Sequence, residues 1–154
     1  MIALLPVDEK NYHLIDELYS DTYIAKVGYD ERAAGTVRHP FAKYLGAYLN
    51  GSLVGAFLII ESGFIELDLH ALLTKRALPW CRDFGRMCLD YAFSIPYIQR
   101  VTANVLEGLE SAANYCLKLG FEIEGFRPCV GHRSGQLIGM HMLGMTREKW
   151  GSTA

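Results

Sequence analysis

The dipeptide Asn50-Gly51 separates two apolar runs, KYLGAYL before it and SLVGAFLII after it. Asn and Gly both tolerate a positive φ, which a two-residue hairpin turn demands at its central positions, so this is the strongest short hairpin signal in the chain. Ser62-Gly63 marks a second turn, and FIELDLHALL continues beyond it as a third strand. Consecutive strands joined by such short turns form an antiparallel meander, because a parallel return would need a long crossover. That meander limits the rest of the chain to elements able to cover or extend a sheet.

The flanking pattern supplies both. IALLPV (2–7) reads as a first strand. From Asp8, with Asp8 as N-cap, DEKNYHLIDELYSDTYIAK reads as one helix, carrying Tyr12, Leu14, Ile15, Leu18 and Tyr19 at helical spacing. Residues 27–41 have no clear period and read as a loop or short helical pieces. LPWCRDFGRMCLDYAF (78–93) reads as a helix with Pro79 in its first turn, where the missing N–H costs least. QRVTANVLE is a strand, and LESAANYCLKLG (109–120) a helix closed by Gly120. FEIEGF and LIGMHMLGM are final strands separated by a loop, RPCVGHRSGQ. The order β-α-loop-β-β-β-α-β-α-β-β predicts a mixed α/β (α+β) architecture: one mostly antiparallel sheet with a parallel βαβ crossing, flanked by helices.

Composition narrows the functional classes. The 154 residues, 51% hydrophobic and 21% charged, suit one soluble domain over 1–154. A net charge of −2 argues against a nucleic-acid binder that neutralises many phosphates. The longest apolar stretch, LVGAFLII, is too short to span a bilayer, and MIALLPVDEK lacks the pattern of a signal peptide, so no membrane partner is expected. The cysteines at 81, 88, 116 and 129 form no CxxC pair, and Cys81 and Cys88 are two helical turns apart. Reduced, mostly buried thiols are the simplest reading, beside metal ligation or disulfides, and they point to the cytoplasm.

Two stretches could carry chemistry. In FIELDLHALL, strand alternation turns Ile65, Leu67 and Leu69 one way and Glu66, Asp68 and His70 the other. That titratable row fits a solvated sheet face, a general base at Glu66 or His70, or a metal site of Glu-x-Asp-x-His type that lacks an obvious fourth ligand. In TKRALPWCRDFGR (74–86), a strand feeds a helix start, where free N–H groups and the helix dipole favour an anion, and Lys75, Arg76, Arg82 and Arg86 add charge. Asn104 could present its amide at a strand end or make a structural hydrogen bond. Tyr115 could act as a weak acid or pack on the sheet. His132 and Arg133 lie in a loop that could meet an acidic acceptor or be a plain hairpin, and His39 lies in the irregular segment. His13 and His141 read as structural.

Taken together, RVTANVLEGLESAANYCLKLGFEIEGF (100–126), with Lys118, Gly120, Phe121, Glu124 and Gly125 in Lys-x-Gly-Phe-x-x-Glu-Gly spacing, resembles the GNAT (Gcn5-related N-acetyltransferase) superfamily. The strand–turn–helix at 64–93 is similar to that family's acetyl-CoA motif, and the element order agrees along almost the whole chain. The resemblance implies the GNAT-like acyl-CoA N-acyltransferase fold. It also implies an acetyl-CoA-dependent N-acetyltransferase, or a user of another acyl-CoA, acting on an amine of a small molecule or protein. Acetyl-CoA would then lie against Leu72, Leu73, Lys75, Arg76, Trp80, Cys81, Arg82 and Asn104, with Glu66, Asp68, His70 and Tyr115 as catalytic candidates. Acceptor choice would rest on loops such as 27–41 and 127–136.

The same resemblance shows departures. The family's phosphate loop, Arg-x-x-Gly-x-Gly/Ala, falls with its Arg on Arg76 and its glycines on Pro79 and Cys81, so a Cβ intrudes at both and Pro79 removes an N–H. The family's frequent cofactor-contacting Asn falls on Leu109, its Ser on Ala112, and its general-acid Tyr on Cys116, one step from Tyr115. Compact GNAT-like proteins of tailed phages, some described as head-assembly factors, have a similar look. A catalytically degenerate binding or assembly protein therefore stands as the alternative reading. The terminal strands could also pair across a homodimer.

Overall fold

Asn50 and Gly51 both take positive φ, 49° and 85°, and close the hairpin between β2 (Ala42–Leu49) and β3 (Ser52–Glu61). β4 (Glu66–Leu73) follows across the Ser62-Gly63 turn, and β1 (Ile2–Pro6) pairs with the far side of β2. The structure, a computed structural model, describes residues 1–27 and 35–153. Residues 28–34 of the expected 27–41 loop therefore lie outside the described residues.

After β4 the chain crosses the sheet through α3 (Cys81–Ser94) and returns as β5 (Arg100–Leu106), parallel to β4. α4 (Glu110–Leu119) ends at Gly120, whose φ of 106° fits the left-handed cap that glycine adopts without a Cβ penalty. β6 (Glu122–Arg133) and β7 (Gln136–Thr146) complete a seven-stranded sheet of order β1-β2-β3-β4-β5-β7-β6. Among the described residues only the β4–β5 contact is parallel. The mixed, mostly antiparallel architecture predicted from the sequence is the one observed.

Four local expectations need correction. The helix expected from Asp8 is three pieces: a 3-10 turn (Glu9–Asn11), α1 (Tyr12–Tyr19) and α2 (Thr22–Val27). Asp8 makes no side-chain cap; Asp21 does, accepting from the backbone N–H groups of Tyr23 and Ile24 at 3.0 Å each. Ser and Asp compete with helical hydrogen bonding, so Ser20-Asp21 stops one helix and caps the next. α3 begins at Cys81 rather than residue 78, because Lys75–Trp80 forms a 3-10 turn that contains Pro79. The supposed loop 127–136 is mostly strand, with a turn at Ser134-Gly135 and an irregularity between Arg127 and Gly131. Pro128 and Gly131 read as breakers, yet an edge strand accepts proline and bulges, and β6 is an edge. A terminal helix, α5 (Arg147–Thr153), was not anticipated.

The sheet separates two apolar layers. On one face, Phe57, Leu67, Leu69, Val101, Ala103 and Leu143 pack under Phe84, Leu89 and Leu119 of α3 and α4, with Trp150 of α5 stacked on Phe93. On the other, Tyr44, Leu58 and Leu72 meet Ile15, Leu18 and Ile24 of α1 and α2. Cys88 and Cys116 are buried, Cys81 is half-buried and Cys129 is exposed, all as free thiols. Burial pushes the Cys116 thiol up to about 11, so it stays protonated.

Candidate active site

β4 and β5 are paired only at Glu66–Arg100, Leu67–Val101 and Asp68–Thr102. Beyond those pairs the strands part, while β4 stays bonded to β3 as far as Leu73 and β5 to β7 as far as Leu106. The sheet therefore has a V-shaped gap, and each rim carries backbone groups without a strand opposite. A cavity of about 750 Å³ occupies that gap. Leu69, Leu73, Ala103 and Val105 line it from the α3/α4 side, and His70, Asn104, Tyr23 and Ile24 from the α2 side, so it reaches both faces of the sheet. The 3-10 turn and α3 contribute Leu78, Pro79, Cys81, Arg82, Asp83 and Arg86; α4 contributes Ser111, Asn114, Tyr115, Cys116 and Lys118.

Arg82, Arg86 and Lys118 against Asp83 leave the α3/α4 mouth with an excess of positive charge. Trp80, at the N-cap position of α3, offers no side-chain cap. The uncapped helix start adds its own partial positive charge to the arginines. α3 and α4 meet closely here: a Cβ on Gly85 would lie 2.5 Å from the Tyr115 hydroxyl and 2.7 Å from Leu119. A side chain at 85 would have to push the Tyr115 and Leu119 side-chain ends aside.

The titratable row on β4 divides. Glu66 accepts a hydrogen bond from the Thr102 hydroxyl and sits 3.4 Å from the Arg100 guanidinium, which also pairs with Glu124. Asp68 accepts from Ser62 Oγ at 3.1 Å, and burial raises its carboxyl pKa. Neither lines the cavity; of the three, His70 alone does. The residue is exposed, yet desolvation of the charged form holds its pKa below 6.5, against the opposing pull of Asp68. His70 is therefore neutral near pH 7 and able to accept a proton. Among the described residues no three His, Cys, Asp or Glu side chains gather in a metal-binding group.

The other candidates scatter. Tyr115 lines the cavity, but its hydroxyl donates to the Cys81 carbonyl at 2.6 Å, and burial pushes the phenol far above its usual range. Leu73, Cys81, Arg82 and Asn104 line the cavity; Leu72 turns into the core beneath α1 and α2. Lys75 lies over the Tyr23 ring, 5.7 Å from its centre, while Arg76 and Trp80 are exposed and outside the cavity lining. Of the four basic residues at 75–86, Arg82 and Arg86 line the cavity, while Lys75 and Arg76, on the 3-10 turn, do not. Sequence reasoning missed Tyr23, Asn114 and Lys118. The spacing of Asn114 and Lys118 places both on one face of α4, a signal that was present but unused.

No family model matches the chain, and no curated protein matches its sequence. Solved structures do match in shape. A spermidine N-acetyltransferase from Vibrio cholerae, in complex with CoA and spermine, superposes with a TM-score of 0.81 at 14% identity, covering 97% of each chain. Mutant forms of the spermidine/spermine N-acetyltransferase from the same organism give 0.80 at 13% identity over 100% of this chain and 99% of that one. The chain has the GNAT acetyltransferase fold.

Proposed function

We propose that this chain is an acyl-CoA-dependent N-acyltransferase that uses acetyl-CoA to acetylate an amine of a small molecule or protein. The observation that carries the reading is the gap between β4 and β5: a cavity that opens to both faces of the sheet, with neutral His70 on its rim. A transfer reaction needs two reactants to meet from different sides, and an unpaired strand edge offers N–H and C=O groups to an extended amide-bearing chain.

The residues present fit such a cofactor. The cavity volume lies within the range that holds a small ligand, roughly 300–1,000 Å³. Arg82 and Arg86 at the start of α3 would bind its phosphates in charge-assisted hydrogen bonds, in place of the N–H that Pro79 lacks. When bound, the cofactor would supply a thioester, an acyl group held on a sulfur leaving group. His70 would take the proton that converts an ammonium acceptor into a nucleophilic amine. Tyr115 is a poor acid for the departing sulfur, since its proton is already donated to Cys81 and its pKa lies high. A thiolate of ordinary pKa, about 8.5, leaves without strong acid assistance.

The phenol's fixed hydrogen bond and the Cys116 substitution favour a second reading, a protein that binds the cofactor without efficient turnover. One experiment addresses both. Calorimetric titration with acetyl-CoA should show binding, and the Arg82→Ala/Arg86→Ala double variant should weaken it about tenfold or more. An absence of binding to the wild type would remove the acyltransferase reading; binding without acetyl transfer to any amine would favour the second.

A further inference from the structure

Asn104 Oδ1 is the single buried side-chain oxygen or nitrogen without a hydrogen-bond partner among the described residues. Its strand neighbour Thr102 bonds Glu66 across the β4–β5 contact, so Thr102 and Glu66 share a sheet face. Asn104 is two residues beyond Thr102 and His70 four beyond Glu66, so both side chains keep that face. They stand on opposite rims of the gap, past the last paired residues.

A buried unpaired amide oxygen costs stability unless something justifies it. Oδ1 finds no partner among the described residues, and with Oδ1 inward the Nδ2 donors are left to the cavity. The reverse orientation would bury two unpaired donors, which proteins tolerate less well than an under-satisfied carbonyl. That orientation leaves the donor end of the amide to the gap, on the rim across from the strand that carries His70.

Resting on the acyltransferase reading above, we infer that Asn104 is a catalytic residue whose Nδ2–H₂ group donates to the thioester carbonyl oxygen. The amine first gives one proton to His70. Its nitrogen then bonds the carbonyl carbon, and the C=O electron pair moves onto oxygen, where Nδ2 stabilises it. As that pair returns, the C–S bond breaks; the new amide's surplus proton goes to the departing sulfur, and His70 releases its proton to water. Stabilisation of this kind acts where charge develops, in a site partly closed to water.

The test compares wild type, Asn104→Ala and Asn104→Asp. Acetyl-CoA binding by calorimetry should change less than about threefold in Asn104→Ala, while kcat for amine acetylation falls about 100- to 1,000-fold, as for loss of one oxyanion donor. Infrared difference spectra of bound acetyl-CoA labelled with ¹³C at the thioester carbonyl give a readout independent of turnover. The carbonyl stretch should move to lower frequency in wild type and return toward its free value in both variants. Thermal stability should hold in Asn104→Ala, because no hydrogen bond is lost. An unchanged carbonyl frequency or an unchanged kcat in an otherwise active protein overturns the role of Asn104 and leaves the acyltransferase reading standing. Failure of the wild type to bind acetyl-CoA overturns both.

Discussion

Two halves of one sheet behave oppositely. From β1 to β4 the strands are zipped antiparallel, with eight paired positions between β2 and β3 alone and a register shift between Ala47 and Tyr48, and apolar side chains cover both faces. Between β4 and β5 three pairs form before the strands separate, and the gap is lined by polar His70 and Asn104 as well as by apolar Leu69, Leu73, Ala103 and Val105. The zipped half satisfies its backbone internally and so supplies rigidity. The open half leaves backbone and side-chain groups for a ligand. Rigid support beside unsatisfied groups is what holds a reactive geometry, since groups on rigid strands need not reorganise during reaction.

The contrast can be broken from either side. Phe57→Ala removes a fully buried ring from the zipped half and should cost roughly 3–5 kcal/mol, measured by denaturant unfolding. A loss below about 1 kcal/mol would mean that this half is not the stabilising one. His70→Gln acts on the open half: turnover should fall about 100-fold or more while unfolding shifts by under about 0.5 kcal/mol. The acid limb of kcat/KM offers a finer check. Because desolvation lowers the His70 pKa, the neutral base persists below pH 6.5, and activity should drop only as pH falls through that lowered value. A limb above 6.5 would assign the base elsewhere. Tyr115→Phe is the mildest, a loss of about 1 kcal/mol of stability from the Cys81 carbonyl bond, with turnover nearly unchanged. A large turnover loss in that variant would restore Tyr115 as the acid.

Much of the zipped half was legible beforehand because its signals are local. Asn50-Gly51 and the alternation in FIELDLHALL each specify a conformation within a few residues. The errors fell where local rules compete. Pro128 and Gly131 suggested a loop, but an edge strand absorbs them; Ser20-Asp21 divided a helix that its periodicity joined. Of the candidate site, the residue types at Glu66, Asp68 and His70 were readable, yet their division of labour was not. It depends on Thr102, Arg100 and Ser62, which reach them from a neighbouring strand and from the β3–β4 turn.

The order of the strands, the turns that join β2, β3 and β4, and the presence of a titratable row on β4 follow from the amino-acid sequence itself, because period-two alternation and turn chemistry act over short distances. Where β4 and β5 part company, which arginines face the gap, and that Asn104 stands opposite His70 were decided by tertiary structure. Those features depend on how far two strands from distant parts of the chain stay paired and on how Lys75–Trp80 rotates the start of α3, and no local pattern encodes a distance between two rims.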